Sequence, residues 1–328
     1  MQNNTYKALV VKKRGKNFNV QIEQQSFTAL AADELLIKVN YSSLNYKDCL
    51  SLTGHHGITR KYPHIPGIDV AGYVAEANSA KFKQGEEVIV TGYDLGMNIS
   101  GGFAEYVKVP AVWVVKKPDN LTLRQAMLFG TAGFTAMSSY LFLQDHFKNL
   151  ANRDILITGV SGGVGLISSF LLSKEKAKLT LASRNIANHP LAYLAANMLD
   201  SQTLLSEVSK PLLTRNYAAA IDNLGGLALT NIIKQLDYAG MVCACGNVAG
   251  HLLESSIYPF ILRGVTLRGI SSANCVYALR VRIWLEIAKF NLWAELENFI
   301  TEISLAEISN KANLMLGGKH FGRFLVKL

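Results

Sequence analysis

Short apolar stretches broken by turn residues dominate the first third of the chain. They predict six strands, at residues 8–11, 34–41, 72–75, 87–92, 104–109 and 113–116. Because turns break the pattern between them, we expect a mostly β domain that extends to about residue 115.

The hydrophobic period changes after about residue 123. Helical spacing over 123–143 is followed by a βαβ unit, with a strand at 154–158, a helix at 163–176 and a strand at 179–183. Helical stretches then separate three further strands, at 218–221, 240–245 and 265–270. This alternation predicts an α/β protein with a doubly wound parallel sheet. The last strand, 323–328, has no helix after it, and we expect it to return to the first domain.

A glycine-rich turn, Thr158-Gly-Val-Ser-Gly-Gly-Val-Gly165, joins the first strand of the βαβ unit to its helix. Its glycines remove Cβ atoms where the backbone turns tightly and a pyrophosphate must approach, and the helix start offers free N–H groups and a positive dipole end. A purely structural turn is the alternative. The position between a strand and a helix favours a dinucleotide site.

The end of the second strand of this unit selects the dinucleotide. In NAD-specific sites an acidic residue there binds the ribose hydroxyls. This chain has Ala182-Ser183-Arg184-Asn185 instead, with no acid until Asp200. Arg184 can pair with a 2′-phosphate and Ser183 can add a hydroxyl, although a merely exposed arginine is the alternative. The missing acid and the cation both favour NADPH.

A polar cluster, Tyr41-Ser-Ser-Leu-Asn-Tyr-Lys-Asp48, follows a strand of the first domain. Hydride addition to a conjugated double bond builds charge on the carbonyl oxygen and requires a proton at the neighbouring carbon. A tyrosine or lysine near the nicotinamide serves both needs. On spacing alone, a structural turn fits equally well.

Composition and charge narrow the class of protein. The 328 residues, of which 49% are hydrophobic, suffice for two domains. The basic segment 1–16 lacks the apolar stretch of a secretory signal, and apolar runs such as 239–245 are too short to span a bilayer. Four cysteines without framework spacing indicate reduced thiols. We therefore expect a soluble, cytoplasmic protein with no membrane partner.

The net charge of +9 raises nucleic acid as a partner. The lysines and arginines are spread along the chain without an Arg-rich helix or aromatic-basic alternation, so no nucleic-acid partner is expected. A cationic surface can instead attract phosphate-bearing cofactors or substrates.

Nine sequence blocks in order give the chain a family resemblance. It resembles the medium-chain dehydrogenase/reductase superfamily, and within it the zinc-free quinone oxidoreductase and acryloyl-CoA reductase subfamily, over nearly its whole length. The blocks begin at Ser42, Pro66, Gly101, Gly130, Thr158, Ala220, Ala244, Pro259 and Gly322, and include Pro66-Gly-Ile-Asp-Val-Ala-Gly72, Gly130-Thr-Ala-Gly-Phe-Thr-Ala136 and Gly322-Arg-Phe-Leu-Val-Lys327.

The resemblance implies an architecture. A GroES-like, mostly β catalytic domain would take residues 1–124 and be completed by 296–328, with a doubly wound parallel Rossmann domain at 125–295 and NADPH in the cleft. It also implies a homodimer. The strand 265–270 is the expected edge, because an exposed apolar edge invites pairing.

The resemblance also implies roles for individual residues. Tyr46 would lie beside the nicotinamide as proton donor or carbonyl polariser, supported by Asn45 and Asp48. The remaining cofactor-binding residues fall into groups for the pyrophosphate (Ser161, Gly162, Gly163, Val164), the 2′-phosphate (Ser183, Arg184) and the nicotinamide end (Asn247, Ile261, Ser272), together with Thr135. The family's usual Ser-Gly-Arg is Ala182-Ser183-Arg184 here, and its aspartate before Ser272 is Ser271.

Zinc ligands are not expected. Zinc-dependent relatives carry a Gly-His-Glu string, whereas this chain has Gly67-Ile68-Asp69 without an imidazole. His55 and His56 lie in a Gly-His-His-Gly turn with no third ligand at sensible spacing. Cys243 and Cys245 alternate on a buried strand and are expected to be core residues.

The expected activity is an NADPH-dependent transfer of hydride to the β-carbon of an α,β-unsaturated carbonyl compound such as acryloyl-CoA. Arg60, Lys61, Arg280 and Arg282 would meet the phosphates of a CoA substrate. Quinone reduction is the alternative reaction. A non-enzymatic NADPH-binding or nucleic-acid-binding protein is the alternative of another class, against which retention of Tyr46 and Asp48 argues.

Overall fold

A computed structural model describes residues 5–328 of the chain, which divide into two compact units. The first unit takes the chain up to Phe134 together with Ser272–Leu328, and the second unit is Thr135–Ser271.

The secondary structure, in chain order, alternates in the way the sequence predicts. The first part contains β1 (Thr5–Arg14), β2 (Asn17–Ser26), β3 (Glu34–Leu44), α1 (Tyr46–Leu52), β4 (Asp69–Ala77), β5 (Glu87–Thr91), β6 (Tyr106–Pro110), β7 (Val115–Lys116) and α2 (Leu123–Phe147). The middle part contains β8 (Asp154–Thr158), α3 (Gly163–Lys174), β9 (Lys178–Ser183), β10 (Asn197–Asp200), β11 (Tyr217–Asp222), α4 (Gly226–Gln235), β12 (Leu236–Ala244), α5 (Tyr258–Arg263) and β13 (Thr266–Gly269). The last part contains α6 (Tyr277–Phe290), α7 (Trp293–Glu297), β14 (Ile300–Ile303), α8 (Ile308–Leu316) and β15 (Arg323–Lys327).

The first unit is built on a seven-stranded sheet. Its strand order is β14-β15-β3-β4-β5-β7, and β6 also pairs with β3. Leu35, Ile37 and Val39 alternate along β3 and are buried against Val70 of β4 and Val88 of β5, as the period of two along a strand requires. The last strand, β15, pairs antiparallel with β3 and places Phe324 opposite Leu44. The predicted return of the last strand to the first domain is therefore confirmed.

Several elements have no counterpart in the prediction, among them β2, α1, β10, β14 and the helices α6, α7 and α8. The strand β2 pairs with β1 over its full length, but none of its side chains is buried, so its apolar signal is weak. The spacing around Tyr46 fits a structural turn as well as the short helix α1, and β10 is a four-residue edge strand. Short and exposed elements carry little hydrophobic periodicity.

The division into units differs from the expected boundaries, which placed residues 125–295 together. The helix α6 belongs to the first unit. Asn120 donates its side-chain amide to the carbonyl of Ala288 at 2.9 Å, and the Tyr277 hydroxyl donates to the carbonyl of Val114 at 3.2 Å. These contacts between distant chain segments carry no local sequence signal.

The second unit is a six-stranded parallel sheet. Its order is β10-β9-β8-β11-β12-β13, with β8 pairing in parallel with both β9 and β11. Leu156, Ala220 and Val242 of the central strands are fully buried and pack against Ile232 and Ile233 of α4. This confirms the predicted α/β class and doubly wound parallel sheet.

One helix, α2, is long and apolar enough to cross a membrane, which the short apolar runs in the sequence did not indicate. Because 89% of its most apolar window is buried inside the fold, α2 is a core helix. Gly130 interrupts it with a non-helical backbone at φ 50° and ψ −151°.

Candidate active site

Tyr46 is the first residue of α1, and its neighbours fix where the helix begins. The Asp48 carboxylate accepts a hydrogen bond from the Asn45 N–H at 2.8 Å, and the Asp48 N–H donates to the Asn45 carbonyl at 3.0 Å. An Asn at the N-cap with an acid three residues later is a capping pattern, so the local sequence dictates this start. Tyr46 is 37% exposed, whereas Asn45 and Asp48 are buried. The arrangement presents the phenol to solvent on a fixed backbone.

Asp48 also joins α1 to the segment that leads into β4. Its other carboxylate oxygen accepts hydrogen bonds from the N–H groups of Gly67 and Ile68 at 3.2 and 2.9 Å. Burial, with a smaller contribution from the charge of Asp69, raises the pKa of Asp48 to about 7. The carboxyl is therefore held in a structural network and titrates near neutral pH.

A second buried carboxylate, Asp69, gathers donors from three segments of the first unit. It accepts hydrogen bonds from the Ser43 hydroxyl at 2.5 Å, the Asn45 amide at 2.7 Å, and the Thr131 hydroxyl and N–H at 2.5 and 2.8 Å. Four donors satisfy a charge that burial alone would penalise. Asp69 thus holds the side chain of Asn45, the residue directly before Tyr46.

Arg323 of β15 completes this network from the far end of the chain. Its guanidinium donates to the Asn45 amide oxygen at 3.1 Å, the Ser43 hydroxyl at 2.9 Å and the Leu128 carbonyl at 3.1 Å. Burial lowers the pKa of Arg323, and the charges of Asp69 and Asp48 act in the opposite direction. The network therefore pairs a buried cation with two buried acids behind Tyr46.

The sequence predicts no role for five residues of this region: Asp69, Arg323, Ser43, Thr131 and Gly130. The available signal was a charged residue in an otherwise apolar strand, as in Ile68-Asp69-Val70 and Arg323-Phe324-Leu325. A charged residue that is as buried as its apolar neighbours needs a charged or hydrogen-bonding partner inside the protein.

In the second unit, the glycine-rich turn has the backbone that a dinucleotide requires. Gly159 has a positive φ of 63°, and the Gly162 N–H donates to the Gly159 carbonyl at 3.0 Å. A Cβ on Gly165 would lie 2.5 Å from the Gly159 carbonyl oxygen. Within residues 5–328, no side chain caps the start of α3. The turn is therefore closed tightly at its base, and its helix start can receive a pyrophosphate.

The carboxyl end of β11 is hydrogen-bonded to the residue that begins this turn. The Thr158 hydroxyl donates to Asp222 at 2.7 Å and accepts from the Asn223 N–H at 2.8 Å, while the Asn223 amide donates to the Thr158 carbonyl at 2.7 Å. Asp222 is buried, and burial raises its pKa. These contacts join the carboxyl ends of β8 and β11, the edge at which parallel sheets bind ligands.

The residues predicted to meet the 2′-phosphate follow β9. The hydroxyl of Ser183 lies 3.4 Å from that of Ser161 in the glycine-rich turn and accepts a hydrogen bond from the Asn185 N–H at 3.3 Å. Ser183 is buried and Arg184 is exposed. The structure thus brings Ser161 and Ser183 together at the ends of adjacent strands.

The other predicted cofactor residues lie apart along the chain. Asn247 and Ile261 are exposed residues of the second unit, and Ile261 is 64% exposed. Thr135 is buried in α2. Ser272 belongs to the first unit, where its carbonyl accepts a hydrogen bond from Arg280 at 2.9 Å.

Arg280 is unsuited to the suggested contact with CoA phosphates. It is fully buried and donates to the carbonyls of Thr91 at 2.6 Å and Ala273 at 3.0 Å, in addition to that of Ser272. Its guanidinium lies 4.4 Å from the Tyr93 ring and 5.0 Å from the Phe134 ring. The suggestion is wrong for this residue, because the side chain is fully buried and both terminal nitrogens of its guanidinium already donate inside the first unit.

The cysteines of the second unit and the possible metal ligands can also be located in the structure. Cys243 is fully buried on β12, as expected of a core residue, and Cys245 is half-buried. Across residues 5–328, no group of three or more His, Cys, Asp or Glu side chains is arranged to hold a metal ion. The prediction of a zinc-free site stays a prediction.

Comparison with known proteins identifies the family. Residues 31–119 match the alcohol dehydrogenase GroES-like domain. The chain is 36% identical over 327 residues to the acrylyl-CoA reductase AcuI of Ruegeria pomeroyi, covering 98% of each protein. It is 35% identical over 326 residues to YhfP of Bacillus subtilis, provisionally named a quinone oxidoreductase, covering 98% of this chain and 99% of YhfP.

The chain belongs to the medium-chain dehydrogenase/reductase superfamily, in its quinone oxidoreductase and acryloyl-CoA reductase subfamily. It is therefore an oxidoreductase. Solved structures agree: the YhdH oxidoreductase of Salmonella enterica in complex with NADP superposes with a TM-score of 0.94 at 35% identity, covering 98% of this chain and 99% of that one. The YhfP structure of Bacillus subtilis with NAD bound gives a TM-score of 0.92 at 35% identity, covering 99% of both chains. The predicted family and fold, a GroES-like unit with a Rossmann unit, are confirmed.

Proposed function

We propose that this chain is an NADPH-dependent reductase that delivers a hydride to the double bond of an α,β-unsaturated carbonyl compound, with acryloyl-CoA as the first substrate to test. The observation that carries the proposal is the likeness to AcuI, named an acrylyl-CoA reductase, over 98% of the chain. A small-molecule substrate is the partner that this chemistry requires.

The second unit supplies most of the residues proposed to bind the cofactor. The positive φ of Gly159, the absent Cβ of Gly165 and the start of α3 fit a pyrophosphate beside Ser161, Gly162, Gly163 and Val164. When bound, the nicotinamide dinucleotide supplies the hydride. Thr135, Asn247, Ile261 and Ser272 complete the proposed cofactor-binding set.

Arg184 and Ser183 support NADPH as the preferred form. The related YhdH structure holds NADP, whereas that of YhfP holds NAD, so the choice must come from this chain's own residues. An exposed arginine with no acid before Asp200 favours a 2′-phosphate. We expect Arg184→Ala to raise the KM for NADPH about tenfold with little change for NADH. Lys178→Ala, an exposed cation at the start of the same strand, is the control, and equal effects on both cofactors would contradict the assignment.

Tyr46 is the proposed catalytic residue. Hydride addition at the β-carbon pushes electrons onto the carbonyl oxygen, and the resulting enolate needs a hydrogen-bond donor there and a proton at the α-carbon. The Tyr46 hydroxyl is suited to both tasks, since it is exposed and its backbone is fixed by the helix cap. Asn45 and Asp48 are positioning residues, because both are buried behind it.

The test is NADPH oxidation with acryloyl-CoA, a simple enone and a benzoquinone in parallel. Preferential turnover of acryloyl-CoA is expected, and Tyr46→Phe should lower kcat by about a hundredfold or more while KM for NADPH changes little. Tyr73→Phe, a 38% exposed tyrosine of the same unit, is the matched control. Unchanged turnover in Tyr46→Phe would refute its role.

Quinone reduction is the second candidate, favoured by the likeness to YhfP at 35% identity. Turnover of benzoquinone alone would select it. NADPH binding without turnover of any substrate would select a non-enzymatic role, and no nucleic-acid or membrane partner is proposed.

The proposed assembly is a homodimer, and the proposed location is the cytoplasm. The strand β13 forms one edge of its sheet, and Leu252, Ile257 and Leu262 nearby in the chain are each more than half exposed. All four cysteines, which lie within residues 5–328, are unpaired thiols, as a reducing compartment favours. Light scattering should give a dimer that Leu252→Asp with Ile257→Asp dissociates, whereas Tyr238→Asp, also exposed, leaves it intact. A wild-type monomer would contradict the assembly.

A further inference from the structure

A cluster of lysines and arginines lies on the first unit, outside the network behind Tyr46. Lys12, Lys13, Arg14, Tyr62 and Pro63 line a cavity of about 240 Å³, which we name the basic pocket. Lys12 pairs with Glu23 at 2.7 Å. Exposed cations flank the pocket in the chain, and among residues 5–328 the following make no ion pair: Lys13, Arg14, Lys16, Arg60 and Lys61.

The two segments that carry these cations are anchored to each other. The N–H of Val11 donates to the His64 carbonyl at 2.8 Å, and the N–H of His64 donates back at 2.9 Å. The rings of Phe18 and Tyr62 lie 5.0 Å apart. The strand β1 and the segment that ends at His64 are therefore adjacent, and both carry exposed cations.

The same segment is tied to the end of α1. The Thr59 and Ser51 hydroxyls lie 2.7 Å apart, and the Tyr62 hydroxyl donates to the Ser51 carbonyl at 3.2 Å. Arg60 and Lys61 thus lie between two fixed points, Thr59 and Tyr62. Ser51 follows Tyr46 by five residues, which is about 7.5 Å along a helix. The basic pocket lies near the end of α1 and Tyr46 at its start.

We propose that the basic pocket binds the phosphate-bearing 3′-phospho-ADP end of the CoA thioester substrate, an inference that rests on the proposed reduction of acryloyl-CoA. In this thioester an extended pantetheine arm, comparable to about four residues of chain, separates the acyl carbonyl from the phosphates by on the order of 15 Å. The roughly 7.5 Å along α1 from Tyr46 to Ser51 takes up about half of that reach, and the Tyr62 side chain that contacts Ser51 extends from there to the pocket it lines. Three phosphate groups need several cations, and Arg60, Lys61, Lys13 and Arg14, which make no ion pair among residues 5–328, can supply them.

The basic pocket should distinguish two thioester substrates that have the same reacting atoms. Acryloyl-CoA carries the phosphates, whereas acryloyl-N-acetylcysteamine lacks them. The basic pocket contributes binding energy only for the first, and this energy is the same in the ground state and the transition state. Loss of the cations should therefore raise KM without lowering kcat.

The experiment compares wild type with the Arg60→Ala/Lys61→Ala double variant on both thioesters. We expect KM for acryloyl-CoA to rise about five- to tenfold at low salt and the difference to shrink as salt is added. The kcat should stay within about twofold, and kcat/KM for acryloyl-N-acetylcysteamine should not change. Lys81→Ala, an exposed cation of the same unit outside the pocket, should behave as wild type.

An unchanged KM for acryloyl-CoA, or an equal rise for both thioesters, would overturn the inference. If wild type reduces neither thioester, the proposed function fails, and calorimetric binding of CoA itself then decides about the pocket. If the double variant binds CoA about fivefold or more weakly than wild type, the result supports the pocket. Equal affinity of both proteins for CoA, or no binding by either, overturns it. Tighter binding of single-stranded RNA than of CoA by wild type would also overturn it, in favour of a nucleic-acid surface.

Discussion

Replacing Asp48 with asparagine removes a buried carboxyl that titrates near neutral pH. Burial and the neighbouring charge of Asp69 raise the pKa of Asp48 from 3.8 to about 7. The folded protein therefore holds this proton more tightly than the unfolded chain. The stability that Asp48 contributes is fully present below about pH 4 and is lost as pH rises through about 7.

The magnitude follows from the same two values. A pKa difference of one unit corresponds to about 1.4 kcal/mol. Protonated Asp48 therefore contributes about 4 kcal/mol to the free energy of unfolding, and about 2 to 3 kcal/mol of this is lost between pH 5 and pH 8. Asparagine does not titrate. The free energy of unfolding of wild type minus that of Asp48→Asn should thus fall by about 2 to 3 kcal/mol from pH 5 to pH 8.

Denaturant unfolding at half-unit steps of pH measures this difference. The wild-type curve alone is ambiguous, because burial lowers the pKa of His64, and a histidine of that kind destabilises the fold as pH falls. Subtracting the variant curve cancels His64. Asp119→Asn, an exposed acid of the same unit, is the control and should leave the pH dependence unchanged. Parallel curves for wild type and Asp48→Asn across this range would refute the assignment of the titration to Asp48.

Two further predictions concern packing and hydrogen bonds. Gly130→Ala should destabilise the first unit by about 3 kcal/mol or more, since φ is 50° there and a Cβ would lie 2.5 Å from the Asp69 carboxylate. Gly269→Ala, where a Cβ meets nothing within 4 Å, is the control, and equal losses in denaturant unfolding would contradict the reasoning. Thr158→Val should cost about 2 to 3 kcal/mol by leaving Asp222 and the Asn223 N–H without this hydroxyl. Thr230→Val should be neutral or stabilising by up to about 1 kcal/mol, because this buried hydroxyl has no partner within residues 5–328, and a loss as large as that of Thr158→Val would reject the account.

Much of the fold and part of the candidate site could be predicted from local sequence. The glycine-rich turn between β8 and α3 lies where the strand–glycine–helix pattern places it, because tight turns and helix starts depend on neighbouring residues. The capping pair Asn45 and Asp48 also acts over three residues. The start of α1, and with it the backbone position of Tyr46, follows from that short-range interaction.

Other parts of the site depend on chain segments that no local rule relates. Arg323 reaches Asn45 across 278 positions, because the antiparallel register of β15 on β3 places Phe324 opposite Leu44. Gly130 meets Asp69 for a similar reason, through contact between a helix and a strand that are far apart in sequence.

The sequence by itself determined most of the element types, the glycine-rich turn and the start of α1, since these depend on backbone preferences and hydrogen bonds within a few residues. Only the tertiary structure decided that Arg280 is buried in the first unit, that Asp69 and Arg323 share one network, and that the basic pocket adjoins the end of α1. The physical reason is that strand register and helix packing bring these side chains together, and both are set by the whole buried core.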